Sequence, residues 1–485
     1  NVVLTPEEVD AALRCPGSVR RGLLKHLPMR HATDTFDWVA TNQPTATALG
    51  TRDSAPCQMP WPSAGRREGG AVAMEATPSS TLNTFIGSFA QPGATGNQTV
   101  SGVGFKPTAV LFWWNQLTAD GTAAGGTDGF GMGVSPSNRA TKYAIRVDNA
   151  AASDVAGGFH DARAILVLQV TITVPGEAAA VLASADIVSM NADGFTLNWD
   201  VVDANARIIN YLALGGALHK ARGGFLTHPT ADGNKTYREI GFQPDLLFFA
   251  QEGLATTAPP YWSNAILRLA FGMAISGGEV AIGNRDNDAV NPADLQHVQL
   301  TTRAYASLIP ATTLIEMDLA SFHADGFTMT FTNAYTLAPL YTMVFALKGG
   351  QLKIGSFNQP GSAGNQSTTG VGFTPKALIL ASGNFATSAA IAAHARYSIG
   401  AGVSASSRFT IWTGGTDNVT PVVHDTALDR TKILSMYTEG TPTLNAAADL
   451  VSMDGDGFTL NWTTADATAR EILYLALGDS VGGTG

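Results

Sequence analysis

One stretch of sequence recurs three times along this chain, and that repetition constrains the fold more than any other feature. Gly96-Asn97-Gln98-Thr99 returns as Gly233-Asn234-Lys235-Thr236 and as Gly364-Asn365-Gln366-Ser367. A fixed step beyond each of those glycines stands Gly104-Phe105-Lys106-Pro107, Gly241-Phe242-Gln243-Pro244 or Gly372-Phe373-Thr374-Pro375. Near each unit's end come Ala192-Asp193-Gly194-Phe195, Ala324-Asp325-Gly326-Phe327 and Gly455-Asp456-Gly457-Phe458, almost evenly spaced. Three repeats follow, at 85–216, 225–349 and 353–479. Units this long are domain-sized, so each can own a hydrophobic core, unlike solenoid repeats of ~20–50 residues that need neighbours. The linkers Ala217–Gly224 and Gly350–Leu352 are short, so the three are expected to touch and to act as one block, imitating a trimer around a local threefold axis.

Each repeat reads as β-structure. Phe195, Leu197 and Trp199 alternate with Thr196 and Asn198, and the pattern returns at Phe327, Met329, Phe331 and at Phe458, Leu460, Trp462. Asp-Gly just before each run is a hairpin-turn dipeptide, because glycine takes positive φ without steric cost. The strands expected around it are Ile187–Met190, Leu319–Phe322 and Leu450–Met453 upstream, and Ile208–Leu214, Leu340–Leu347 and Ile472–Leu477 downstream. Pro107, Pro244 and Pro375 introduce apolar runs, Ala109–Trp114, Asp245–Ala250 and Ala377–Ala381, short enough for buried strands. The fold class expected is all-β: three tandem antiparallel β-sandwich, jelly-roll-like domains of about eight strands each.

Residues 1–80 differ in kind. They hold 8 of the 23 prolines, both cysteines (Cys15, Cys57) and a denser scatter of charged side chains than the repeats. Thr5-Pro6-Glu7-Glu8 places an N-cap, a first-turn proline and a third-position glutamate, so a short helix is expected there. Ser18 is positioned to cap a second, with Val19, Leu23, Leu24 and Leu27 on one face. From Trp38 to Ser80 no helical period persists, which reads as an extended arm that needs a partner surface to order. The segment is the expected anchor.

Charge excludes some functions. The net charge of −10 argues against a nucleic-acid partner, since phosphate binding needs clustered Lys and Arg. No membrane is expected either, because Ile165–Val174 and Leu337–Leu347 fall far short of the ~20 apolar residues of a spanning helix. With both cysteines ahead of the repeats, a disulfide scaffold is excluded, and no basic patch followed by an apolar run marks a signal peptide.

The chemistry-bearing residues are few. His160-Asp161 and His424-Asp425 hold similar places in repeats 1 and 3, but repeat 2 has His297-Val298, without the acid. A histidine bonded to a neighbouring loop is the reading preferred to a catalytic base. Gly400-Ala401-Gly402-Val403-Ser404-Ala405 fits a dinucleotide fingerprint in letters only; lacking a βαβ context, and matched to Gly131-Met132-Gly133-Val134-Ser135, it reads as close strand or loop packing. Asp286-Asn287-Asp288 and Asp454-Gly455-Asp456 lack the full ligand series of a calcium loop and read as solvated turns. Asn97, Asn234 and Asn365 satisfy the glycosylation pattern, and a turn in which the Asn bonds its own backbone is favoured. Trp113, Trp114, Tyr261, Trp262 and Trp412 are the best carriers for a sugar-stacking surface, with core burial the default. No catalytic, cofactor-binding or metal-binding residue is assigned.

The segment from Ile86-Gly87-Ser88-Phe89 to Gly104-Phe105-Lys106-Pro107, the hairpin Ala192–Trp199, and the closing Tyr-Leu-Ala-Leu-Gly at Tyr211–Gly215 and Tyr474–Gly478 resemble a repeat found in structural proteins of tailed bacteriophages. The likeness spans 85–479, and repeat 2 departs furthest, with Thr328-Met329-Thr330-Phe331 in its hairpin. Within residues 18–40, Leu23-Leu24-Lys25-His26-Leu27-Pro28 followed by Thr33-Asp34-Thr35-Phe36-Asp37-Trp38 is similar to the stretch where tailed-phage major capsid proteins pass from an N-terminal arm into a long hairpin loop. These resemblances imply a non-enzymatic virion protein, a capsid decoration or tail component at the particle surface. Its partners would be other virion proteins of the capsid or tail lattice, met through residues 1–80, and copies of itself in a homo-oligomer. The alternative is an adhesin or tail-fibre module that binds a host-surface glycan. A polysaccharide hydrolase would need paired carboxylates ~5–10 Å apart, and no pair recurs across the repeats.

Overall fold

The computed structural model describes residues 80–481, apart from 125–128, 137–157, 162, 169–180, 252–260, 264–265, 288–293, 310–312, 389–390 and 421–422. The expected helices and extended arm of residues 1–79 lie outside the described residues. Repeat 1 carries β1 (Leu82–Ala90), β2 (Gly96–Ser101), β3 (Ala109–Asn115), β4 (Gly121–Ala123), β5 (Phe130–Pro136), β6 (Gly158–His160), β7 (Ile165–Leu168), β8 (Val181–Asn191), β9 (Gly194–Val201) and β10 (Ile208–Gly216). Repeat 2 carries β11 (Lys220–Thr227), β12 (Gly233–Tyr237), β13 (Leu246–Gln251), β14 (Tyr261–Ser263), β15 (Ile266–Ile275), β16 (Gly278–Asn287), β17 (Leu295–Leu300), β18 (Tyr305–Ile309), β19 (Thr313–His323), β20 (Gly326–Thr332) and β21 (Tyr341–Lys348). Repeat 3 carries β22 (Gln351–Asn358), β23 (Gly364–Thr369), β24 (Pro375–Ser382), β25 (Ala392–Ala393), β26 (Ala395–Ser404), β27 (Ser407–Thr416), β28 (Val423–Asp429), β29 (Leu434–Thr438), β30 (Thr443–Asp454), β31 (Gly457–Thr464) and β32 (Glu471–Gly478). Among the described residues there is no helix.

Every repeat folds into two antiparallel sheets. The inner sheets run β1-β10-β3-β5, β11-β21-β13-β15-β16-β17 and β22-β32-β24-β26-β27-β28; the outer ones run β2-β9-β8-β7, β12-β20-β19-β18 and β23-β31-β30-β29. First strand pairs with last and second with penultimate, while the strands between them follow one another as meanders.

The sequence signatures recur together because they touch. The N–H groups of Gly102 and Gly104 donate to the Asp193 carboxylate at 3.0 and 2.6 Å, so the hairpin aspartate fastens the loop ahead of Pro107. Those two bonds hold Asp193 below the usual carboxylate range. Asp456 does the same for Gly370 and Gly372, and Asp325 for Glu239 and Gly241. The loop needs φ near +83° at Gly102 and Gly104, and Glu239 adopts +66° in repeat 2.

Inner strands are buried on both faces, which is why they read as unbroken apolar runs. Along β3, Val110, Phe112 and Trp114 enter the repeat's own sandwich core with Phe195, Leu197 and Trp199. Ala109, Leu111 and Trp113 enter a second core, fed by all three repeats. There Phe130 of repeat 1 and Phe271 of repeat 2 both meet Tyr397 of repeat 3, at 4.8 and 6.2 Å between ring centroids. Burying each such side chain contributes about 1.5–3 kcal/mol, so the shared core binds the repeats more firmly than short linkers would.

The repeats also exchange strands in a cycle. Strand β4 of repeat 1 extends the sheet of repeat 3 by pairing with β28, β25 of repeat 3 extends that of repeat 2 at β17, and β14 of repeat 2 pairs with β6 of repeat 1. Strands β4 and β25 thus each cover an edge of a neighbour's sheet, β14 and β6 form a two-stranded sheet of their own, and the described repeat residues form one compact unit. The chain's entry, linkers and exit converge. Ser480 donates its N–H to the Ser80 carbonyl at 2.8 Å and Ala217 to that of Thr81 at 2.7 Å. Gly350 donates to Ser480 Oγ at 3.2 Å, and Gly349 packs so tightly on Ala217 that a Cβ would lie 2.0 Å from its carbonyl oxygen.

Candidate functional site

The histidines sit at the repeat junctions. On β28, His424 places Nε2 3.2 Å from Asp286 Oδ2 on β16 of repeat 2, and both side chains are buried. His297, on β17, lies 2.9 Å from the His394 carbonyl oxygen through Nδ1 and stacks 4.4 Å from Phe385, both in repeat 3. Burial, then the nearby Arg396 charge, lowers its pKa to about 4, so at neutral pH the ring is uncharged and Nδ1–H donates to that carbonyl. Asp425 accepts the Gly440 N–H. The side chain of His160 lies outside the described residues. His297 and His424 thus fasten one repeat to the next.

Asp286 is brought to His424 rather than to a calcium turn, while Asp288 and the side chain of Asn287 lie outside the described residues. Asp454 accepts the hydroxyls of Ser452 and Thr459, both at 2.7 Å, and Asp456 holds the loop glycines. Among the described residues no group of three or more His, Cys, Asp or Glu is placed to hold a metal ion.

Three of the candidate stacking aromatics take the default of core burial and offer no sugar-stacking face. Trp113, Trp114 and Trp412 are all at most 1% exposed. Trp113 lies in the shared core 5.6 Å from Phe409, Trp114 lies so close under Gly131 that a Cβ there would be 2.0 Å from its ring, and Trp412 packs 5.3 Å from Tyr437. The side chains of Tyr261 and Trp262 lie outside the described residues. The asparagines are corrected. Asn97, Asn234 and Asn365 are exposed second residues of β2, β12 and β23, not turn residues. They face Asn198, Thr330 and Asn461 across the strand pair, and Thr330 donates its hydroxyl to Asn234 at 2.7 Å.

The glycine run is strand packing, but in a register two residues away from the match read in the letters. Gly133, Gly272 and Gly400 pair with the equivalent residues Phe112, Phe249 and Leu380. A Cβ at any of them would lie 1.8–1.9 Å from the carbonyl oxygen of Ala164, Ala304 or Ile433 at the edge of the facing sheet. Gly400, not Gly402, is therefore the counterpart of Gly133.

A polar cleft of about 280 Å³ opens where repeat 1 meets repeat 3. From repeat 3, Arg430 donates through Nε to Asp120 at 2.8 Å and through a terminal nitrogen to Ser88 Oγ at 3.1 Å; Ser407 donates to the Ile86 carbonyl at 3.0 Å. Arg408 is occupied by Asp449 at 3.0 Å and by backbone carbonyls. Asn210 on β10 lies directly across from Ser88 on β1 and also lines the cleft. It is 1% exposed, its Nδ2 stands 3.4 Å from the Trp113 carbonyl, and its Oδ1 has no hydrogen-bond partner. The signal in sequence is one polar letter inside an apolar run: Asn210 in Ile-Ile-Asn-Tyr-Leu at 208–212, where Glu-Ile-Leu-Tyr-Leu at 471–475 has Leu473.

No family model, curated protein or solved structure matches this chain.

Proposed function

We propose that the chain is a non-enzymatic structural protein of a tailed-phage virion, anchored on the capsid or tail lattice through residues 1–80, with its three repeats displayed at the particle surface. The observation that carries this reading is the cyclic strand exchange around a shared core, which makes one rigid block from three similar units. Such a block supplies in one chain what a surface trimer supplies in three. Of its candidate catalytic residues, His297 and His424 are taken up in fastening repeats together. Segment 1–80 joins the block at Ser80, where linkers and exit converge, so a tether there loads all three repeats alike. The jelly-roll-like reading of each unit draws support from the nesting of first with last strand and second with penultimate.

Deletion of residues 1–80 tests the anchor. The truncated chain should fold, with strand-rich circular dichroism and a sharp thermal transition, yet fail to enter particles. Particles that carry the truncated protein at normal copy number would overturn the proposal.

A further inference from the structure

We propose that the cleft between repeats 1 and 3 binds a neutral sugar ring, held by Asn210 and Ser88 of repeat 1 and by the Asp120–Arg430 pair that closes the junction. This goes beyond a scaffolding role and does not depend on it.

The argument starts from what repeat 1 gives up. At the position of Asn210, repeat 2 has Met343 and repeat 3 has Leu473, and both feed the shared core. The residue across the strand pair changes with it: Ser88–Asn210 in repeat 1, Phe225–Met343 in repeat 2 and Ser356–Leu473 in repeat 3. An amide buried to 1% exposure with an unpaired oxygen is a poor choice for packing, and buried polar atoms in folded proteins are overwhelmingly paired. Its neighbours supply the missing half of a site. The Ser88 oxygen accepts from Arg430, so its own proton remains to be donated; Asn210 Oδ1, shielded from solvent in this conformation, accepts once the amide turns toward the ring.

Charge decides the class of ligand. Asp120 and Arg430 neutralise each other at 2.8 Å, and Arg408 is committed to Asp449 at 3.0 Å. An anion would face Asp120, and a cation would face two arginines. A neutral ring with adjacent hydroxyls, each able to donate and accept, satisfies Asn210 and Ser88 together and places further hydroxyls on the ion pair. A volume of about 280 Å³ lies at the lower edge of the ~300–1,000 Å³ usual for small-molecule sites and suits one monosaccharide. The cleft has no exposed aromatic face in its lining, so affinity in the millimolar range is expected, raised when many copies are displayed together.

Saturation-transfer NMR on the full chain tests this, with the methyl glycosides of glucose, galactose, mannose, rhamnose and N-acetylglucosamine as probes, and glucuronic acid and glucosamine as charged comparators. Transfer to at least one neutral glycoside is expected, falling at least tenfold in Asn210→Leu, which installs the residue of repeat 3, and in Ser88→Ala. Both variants should keep the wild-type thermal midpoint or exceed it. Silence from all five neutral probes, transfer to the charged comparators alone, or equal transfer in wild type and both variants would overturn the proposal. Entry of Asn210→Leu into particles reads the scaffolding role separately.

Discussion

Glu279 and Arg408 occupy the same turn position in repeats 2 and 3 and reach the same point of the facing sheet with opposite charge. Glu279 accepts the Leu319 N–H at 2.6 Å, whereas Arg408 donates to the Leu450 carbonyl at 3.3 Å and pairs with Asp449 at 3.0 Å. Leu319 and Leu450 both begin a β-bulge, which turns a backbone group out of the ladder toward the reaching side chain. Repeat 2 keeps the acid, Asp318, so there a carboxyl meets a carboxyl, with Arg303 3.2 Å from Glu316 and 3.4 Å from Asp318.

This juxtaposition makes repeat 2 sensitive to pH. Burial first, with the Asp318 charge adding to it, raises Glu279 from 4.5 to about 7, and burial raises Asp318 as well. The folded state therefore holds protons that the unfolded chain releases, so stability falls as pH climbs from about 4.5 to about 7 and then levels. Glu279→Gln keeps an acceptor for Leu319 and removes the titration. It should gain on wild type across that interval, by on the order of 1 kcal/mol at pH 8 given partial exposure, and match it near pH 4.5. Urea unfolding at a series of pH values checks this; a constant offset between the two proteins would contradict it.

The outer sheets contain a swap that nature has already made once within the chain. Trp199 donates its indole N–H to Gln98 at 2.8 Å and Trp462 to Gln366 at 2.8 Å; in repeat 2 the same positions hold Phe331 and Lys235. The three long polar side chains share a second task. Gln98, Lys235 and Gln366 each donate to the carbonyl of Ala90, Thr227 or Asn358. Gln98→Lys alone should cost about 1–3 kcal/mol by leaving the indole unpaired. Trp199→Phe should then cost less in that background than in wild type, with a coupling of about 1 kcal/mol in a double-mutant cycle. Strict additivity would show that the pairing is incidental.

Close approach at the glycines gives a sharp steric test. Gly400→Ala places a methyl 1.8 Å from the Ile433 oxygen, a backbone atom that cannot rotate away, and about 3 kcal/mol of destabilisation is expected. Gly133→Ala and Gly272→Ala should behave alike. Gly93, with nothing within 4 Å of a Cβ, serves as control and should stay within about 0.5 kcal/mol of wild type.

The junctions predict cooperative unfolding of the block. Asn115 of repeat 1 donates to Thr426 Oγ1 and to the Ala427 carbonyl of repeat 3, both at 3.1 Å, in a buried setting. Asn115→Ala should cost about 1–3 kcal/mol. Because each repeat depends on the other two, its calorimetric transition should shift as a whole, and amide exchange should quicken in repeats 2 and 3 together. A transition that splits, with one repeat melting early, would refute the single unit.

The division between legible and illegible features follows from locality. The repeats announced themselves because Asp193 and its counterparts bind the loop glycines directly, which fixes both motifs and their spacing. The runs Ala109–Trp114 and Ala377–Ala381 were legible as buried strands, but a continuous apolar run says only that both faces are covered, not that the second cover is another repeat. Strands β4 and β14 have three residues and β25 has two, too short for any period, so the exchange left no pattern to read. His424 and Asp286 lie in different repeats, so no local pattern joins them in the sequence. Asn97 reads as a turn residue because Asn favours turns, while the neighbour that marks it as strand, Asn198, is remote in the chain. Asn210 shows in the sequence only as one polar letter in an apolar run, at the position where repeat 3 has Leu473.

The meeting of Ser80 with Ser480 makes the order of the repeats along the polypeptide nearly arbitrary. Fusing those two residues and opening the chain at Gly349–Gly350 would leave every described sheet intact, since no strand crosses that point. A circularly permuted gene could then begin with repeat 3 and still encode the same three-repeat block. Within the block no repeat comes first in space; only the attachment of residues 1–79 ahead of Ser80 marks one as first in sequence.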